Sequence, residues 1–130
     1  MKAEKIIINK ISSAFQMMKN PTDEWISNNP YFFEEVDLDE AKEYLPAFMI
    51  YIIKNMKEDP QSMVYMQLLD TLNDYSKCKN LNNKNIGLWY LLSTIQQKAI
   101  LAFLGHLLHN QAGNIDIEEL QKIIKRWENC

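Results

Sequence analysis

Apolar residues recur every three or four positions over most of this chain, the period of a helix that buries one face. From Ala3 to Lys19 the stripe is Ile7, Ile11, Ala14, Phe15 and Met18. Asn20-Pro21 stops it, because the residue before a proline is pushed out of the helical region. Thr22 can cap a short turn through Trp25 and Ile26, and Asn28-Asn29-Pro30 reads as a loop. Asp37 opens the next helix: its side chain can accept from the N–H of Glu40, and the Glu40 carboxylate can reach back. That helix runs into Leu45-Pro46, where proline removes a backbone donor and kinks or splits it. Its second half, Ala47 to Met56, is apolar on nearly every side and predicts the central, most buried element.

Asp59-Pro60 has the order of a cap followed by proline at the first helical position. A helix is expected from there to about Ser76, with Val64, Leu68, Leu72 and Tyr75 along one side. Residues 77–85, KCKNLNNKN, form a polar loop. Ile86 to Leu92 is short and apolar, either extended or a single turn. Ser93 with Gln96 makes a second capping box. From it a stripe runs through Ile95, Ala99, Ala102, Phe103 and His106, widened by Ile100, Leu104, Leu107 and Leu108. Residues 111–114 break it. Asp116 with Glu119 is a third capping box, closed by Ile115 and Leu120, and the last helix runs to about Trp127. Phe48, Ile52, Leu68, Leu72, Ile100, Phe103 and Leu104 are the expected core. The pattern predicts one all-α domain over residues 1–130, with five or six helices and a Pro-kinked central one.

Composition narrows the picture. Three glycines and four prolines in 130 residues leave little material for the turns of an all-β fold. The formal charge of −3 provides no basic field to hold nucleic acid. Cys78 and Cys130 have neither the spacing of a zinc site nor that of a disulfide framework, and two reduced thiols are expected. The start has only three consecutive apolar residues, Ile6 to Ile8, too few for a secretory signal. Leu45 to Ile53 is too short to span a bilayer, and Leu88 to Leu108 is interrupted by Gln96, Gln97 and Lys98. A cytoplasmic protein without a membrane partner is expected.

Candidate chemistry is sparse. His106 and His109 share a helix face, but a zinc site needs three or four ligands and neither cysteine nor acid is close by. The serines lie in helices, loops and caps, and none stands in a Gly-x-Ser-x-Gly turn. Cys78 has lysines beside it that can lower a thiol pKa. Lys77, Lys79 and Lys84 make a weak phosphate patch that the net charge opposes. Gly87, Gly105 and Gly113 are isolated, so no phosphate loop exists. No catalytic residue, metal or cofactor is predicted.

A helix capped at Asp37 that reaches Tyr44-Leu45-Pro46 is followed by Ser93, Gln96, Ala99, Ile100, Phe103 and Leu104. This order resembles a family of small all-helical bacterial proteins without an established activity. The resemblance covers about two thirds of the chain and implies the fold alone, since the shared residues are caps and core. By size, acidity and inferred compartment the chain also looks like the immunity proteins of contact-dependent growth inhibition systems. That likeness is of type and implies binding to a cognate toxin domain, often a nuclease.

One stretch carries the functional expectation. Between Thr22 and Glu43 stand eight acids and one base, Lys42, a local balance of −7, whereas the rest of the chain has nine acids and thirteen bases. Capping accounts for Asp37 and Glu40 first, and Asp39 also suits the positive end of that helix. Either the rest form a solvated face, or the stretch is a docking surface for a basic protein partner. On the second reading Asp23, Glu24, Glu34, Glu35, Asp39 and Glu43 supply charge, with Tyr31 and Phe32 as anchors. The function expected is non-catalytic binding, with toxin immunity by occlusion as the specific form. A regulatory or scaffold protein, or an enzyme using carboxylates and His106, are the alternatives. The oligomeric state is left open.

Overall fold

The computed structural model describes residues 2–16, 19–59, 62–75, 88–110 and 117–129. Those residues form helices only: α1 (Lys2–Ala14), α2 (Asp23–Ser27), α3 (Phe32–Glu35), α4 (Leu38–Asn55), α5 (Met63–Tyr75), α6 (Leu88–Leu91), α7 (Thr94–His109) and α8 (Ile117–Glu128). Five of them, α1, α4, α5, α7 and α8, are twelve residues or longer, which is the all-α architecture the periodicity predicts. The others are single turns that steer the chain between them.

α4 is the central element. Ala41, Leu45, Pro46, Ala47, Phe48, Met49, Ile52 and Ile53 are all buried along it. α1, α2, α5 and α6 each pack on α4, while α7 lies against α1 and α8 against α7. One continuous core results, in which all seven predicted core residues are buried. Asp37 caps α4 through its Oδ1, which accepts from the Glu40 N–H at 2.9 Å. The return bond from the Glu40 carboxylate is not formed, so the cap is one-sided. α4 is continuous across Pro46 rather than split into two helices. Proline lacks an N–H and so leaves the Lys42 carbonyl without its intrahelical donor.

Other boundaries differ from the sequence expectation for local reasons. α1 stops at Ala14 instead of Lys19. The Ala14 carbonyl, one of the acceptors a helix end leaves without a partner, takes a hydrogen bond from Gln96 Nε2 of α7 at 3.2 Å. α5 starts later than Asp59-Pro60 suggests. Its N-terminal cap is Ser62, whose Oγ accepts from the Tyr65 N–H at 3.1 Å. Asp59 instead closes the turn after α4, donating its N–H to the Asn55 carbonyl. Thr22 caps α2 as predicted, and Ser93 and Gln96 form the reciprocal box at the start of α7. Ile95, placed on the buried stripe by its spacing, is 66% exposed. It sits in the first turn of α7 at the edge of the stripe, whose buried part begins at Ala99.

At the far end, α8 is fastened to α5. The Trp127 indole N–H donates to the Leu72 carbonyl at 3.1 Å, and Arg126 Nη1 donates to Asn73 Oδ1 at 2.6 Å. Leu120, Ile123 and Trp127 are its buried stripe. The third predicted capping box (Asp116) and its staple residue Ile115 lie outside the described residues, as do the loop of residues 77–85 and both cysteines. No helix among the described residues is long and apolar enough to cross a membrane.

Candidate protein-binding surface

The acidic stretch folds over a cluster of aromatic rings. Trp25 of α2, Phe32 and Phe33 of α3, and Tyr44 and Phe48 of α4 pack together. Trp25 stacks on Tyr44 at 5.5 Å between ring centroids, and Phe32 meets Tyr44 at 4.6 Å. Phe33 meets Phe48 edge to face at 4.7 Å. Pairs of this geometry add stabilisation beyond the area they bury. They hold the two short helices on α4, although neither α2 nor α3 is long enough to be stable alone.

This packing decides which way the acids point. In the segment Tyr31 to Glu35 the rings of Phe32 and Phe33 turn inward, and Glu34 and Glu35, which follow them, are exposed. All eight acidic residues from Asp23 to Glu43 are exposed. Asp37 is engaged in capping. The side chains of Asp23, Glu24, Glu35, Asp39 and Glu43 make no hydrogen bond or ion pair among the described residues. The one base of the stretch is used by the fold: Lys42 Nζ donates to the Leu91 carbonyl of α6 at 2.7 Å. Of the two aromatic anchors, Tyr31 is 45% exposed. Phe32 is half-buried, with its ring against Trp25, Phe33, Tyr44 and Phe48.

The surface is wider than the sequence stretch. A cleft of about 500 Å³ between α3 and α5 is lined by Phe33, Glu34, Gln67, Asp70, Thr71, Asn73 and Asp74. Asp70 and Asp74 therefore join the acids of α3. The signal for them was their spacing of four on one helix, which places them on one face. What the sequence does not disclose is that α3 packs beside that face. Asp74 also adds to the burial that pushes the Tyr75 phenol well above its ordinary value. A second pocket, of about 440 Å³, is formed by Lys19, Asn20, Pro21, Thr22, Trp25 and Tyr44.

A family model described as a family of unknown function, DUF6714, matches residues 4–130. The chain belongs to the DUF6714 family. No curated protein and no solved structure matches the chain. In this DUF6714 member the remaining chemical candidates lie elsewhere or outside the described residues. His106 is buried in α7, with Asn110 Nδ2 at 3.4 Å from its Nδ1, and His109 is exposed. Burial holds the His106 imidazole below its ordinary pKa; nearby Glu4 pulls the other way, and Lys57 and His109 add to the lowering. Ser62 and Ser93 are occupied as caps. Among the described residues no group of three His, Cys, Asp or Glu side chains is arranged to hold a metal ion. Lys77, Cys78, Lys79, Lys84 and Cys130 lie outside the described residues.

Proposed function

We propose that this chain is a non-catalytic binding protein whose acidic surface covers the basic surface of a protein partner. In the specific form proposed, it is an immunity protein and the partner is a cognate toxin domain, a nuclease. The observation that carries the reading is the exposure of all eight acids between Asp23 and Glu43 over a rigid aromatic base. Like charges this close repel one another in the free protein, and a cationic surface relieves that repulsion on binding. Opposite fields also steer encounter and raise the association rate. A nuclease uses lysines and arginines to hold a phosphate backbone. A fixed array of carboxylates competes for those same groups and blocks access to the active site.

Co-expression tests this reading. The protein encoded directly upstream is produced in a heterologous bacterium with and without this chain. The reading predicts that the upstream product alone stops growth and that the native chain restores it. It also predicts that a Glu24→Lys, Glu35→Lys, Glu43→Lys variant, still helical by circular dichroism, does not restore growth. A harmless upstream product removes the immunity form. Full protection by the charge-reversed variant removes the acidic surface from the mechanism.

A further inference from the structure

His106 stands in the last turn of α7 and is only 8% exposed. One turn further on is Asn110, the residue that caps the helix. The His106 carbonyl accepts twice from it, from the Asn110 backbone N–H at 3.0 Å and from the side-chain Nδ2, also at 3.0 Å. The same Nδ2 lies 3.4 Å from His106 Nδ1. An amide nitrogen only donates, and it has two hydrogens, one for each of these acceptors. The bond to the carbonyl fixes which end of the amide faces the ring. His106 Nδ1 is therefore an acceptor, and the imidazole is neutral with its proton on Nε2.

Protonation puts a hydrogen on Nδ1 and sets two donors against each other. Asn110 then has to leave the ring or turn its Oδ1 toward it, and either movement breaks the Nδ2 bond to the carbonyl. Asn110 is exposed, so its side chain has room to move. Burial is the largest effect opposing the imidazolium; Glu4 in the first turn of α1 favours it, while Lys57 in the turn after α4 and His109 of α7 itself oppose it. Lys57 Nζ is 3.7 Å from Glu4 Oε1 and so competes for that carboxylate. The remaining helix packed on α7 is α8, which turns Leu120, Ile123 and Trp127 to the core.

We propose that His106 and Asn110 form a proton-operated clasp at the end of α7. It is closed while the imidazole is neutral and opens when Nδ1 takes a proton. Opening leaves the His106 carbonyl with the backbone N–H of Asn110 alone. It also places a charge where α1, α7 and the turn after α4 meet. Glu4 is the carboxylate that answers this charge, and doing so draws it from Lys57. Mild acid thus loosens the end of α7 locally while the core helices stay formed.

The test is nuclear magnetic resonance of the ¹⁵N-labelled full chain from pH 7 downward, with His109→Gln used to assign the two imidazoles. At neutral pH the clasp predicts a His106 ring with a proton on Nε2 and none on Nδ1. The Asn110 side-chain amide signals should then move with the same midpoint as the His106 ring. Asn110→Ala should raise that midpoint, because the neutral ring loses its donor. Asn110→Asp should raise it further, by about one pH unit or more over the native chain, because a carboxylate beside the ring favours the imidazolium. A proton on Nδ1 at neutral pH would overturn the clasp from the native chain alone, whether or not the variants fold. So would Asn110 amide signals that do not follow the His106 titration, or a midpoint that Asn110→Asp leaves in place.

Discussion

Two buried side chains give predictions at the scale of single residues. Tyr65 is 1% exposed, and its hydroxyl has no hydrogen-bond partner among the described residues. Burial pushes its phenol up to about 12. A buried polar group left unpaired costs about 1–3 kcal/mol, so removing it should help. Tyr65→Phe is expected to raise stability by about 1 kcal/mol, read from the midpoint of urea unfolding; a clear loss would mean that the hydroxyl has a partner. His106 sets the behaviour in acid. Its pKa is lowered in the fold, so below the ordinary value of 6.5 the unfolded chain binds the proton first. The contribution of neutral His106 is complete above that pH and is lost as pH falls through the lower folded value. Unfolding measured from pH 7 downward should show a slope that His106→Gln reduces; identical slopes would contradict it. The burial of Phe103 and Leu104 was legible in the sequence because each repeats at helical spacing. The isolation of the Tyr65 hydroxyl was not, since it depends on which polar atoms neighbouring helices bring near.

The strongest local device at the scale of elements is Gln96. Its Oε1 accepts from the Ser93 N–H at 2.9 Å, its backbone N–H donates to Ser93 Oγ, and its Nε2 closes the end of α1 on the Ala14 carbonyl. One side chain thus starts α7 and ends α1. Gln96→Ala should cost about 1–2 kcal/mol, the range for losing a cap or exposing a carbonyl. Gln96→Glu keeps the box but cannot donate to Ala14, so it should recover part of the loss. Full recovery by glutamate would show that the α1 contact contributes nothing. The capping box itself was readable from Ser93 and Gln96, three residues apart. Its second use was not, because Ala14 is 82 positions away. α3 was missed for a related reason. Residues 32–35 are too few to show a period, and their helix depends on packing Phe32 and Phe33 against Tyr44 and Phe48. The same kind of local competition moved the start of α5, where Ser62 rather than Asp59 holds the cap.

Charge is the property of the whole molecule that bears on function. The sequence places eight acids in twenty-two residues, and the fold keeps all of them outside and adds Asp70 and Asp74 from α5. The first part was legible as a count. The second required the packing of α3 on α5. Exposed single charges contribute little to stability, so reversing a few should leave the fold intact. Asp39 is best left unchanged, because it stands in the first turn of α4, where an acid interacts favourably with the helix dipole. Glu43 lies beyond that turn, and Glu24 and Glu35 stand in the first turns of only the short helices α2 and α3, where few peptide dipoles add up, so these three are the informative positions. The measurement that tests the docking claim most directly is the association rate with the purified upstream gene product across a range of salt concentrations. The native chain should associate fast at low salt and slow steeply as salt rises. The Glu24→Lys, Glu35→Lys, Glu43→Lys variant should be slow throughout and nearly flat in salt. The same rate and the same salt dependence for both proteins would contradict a docking role for the acidic surface.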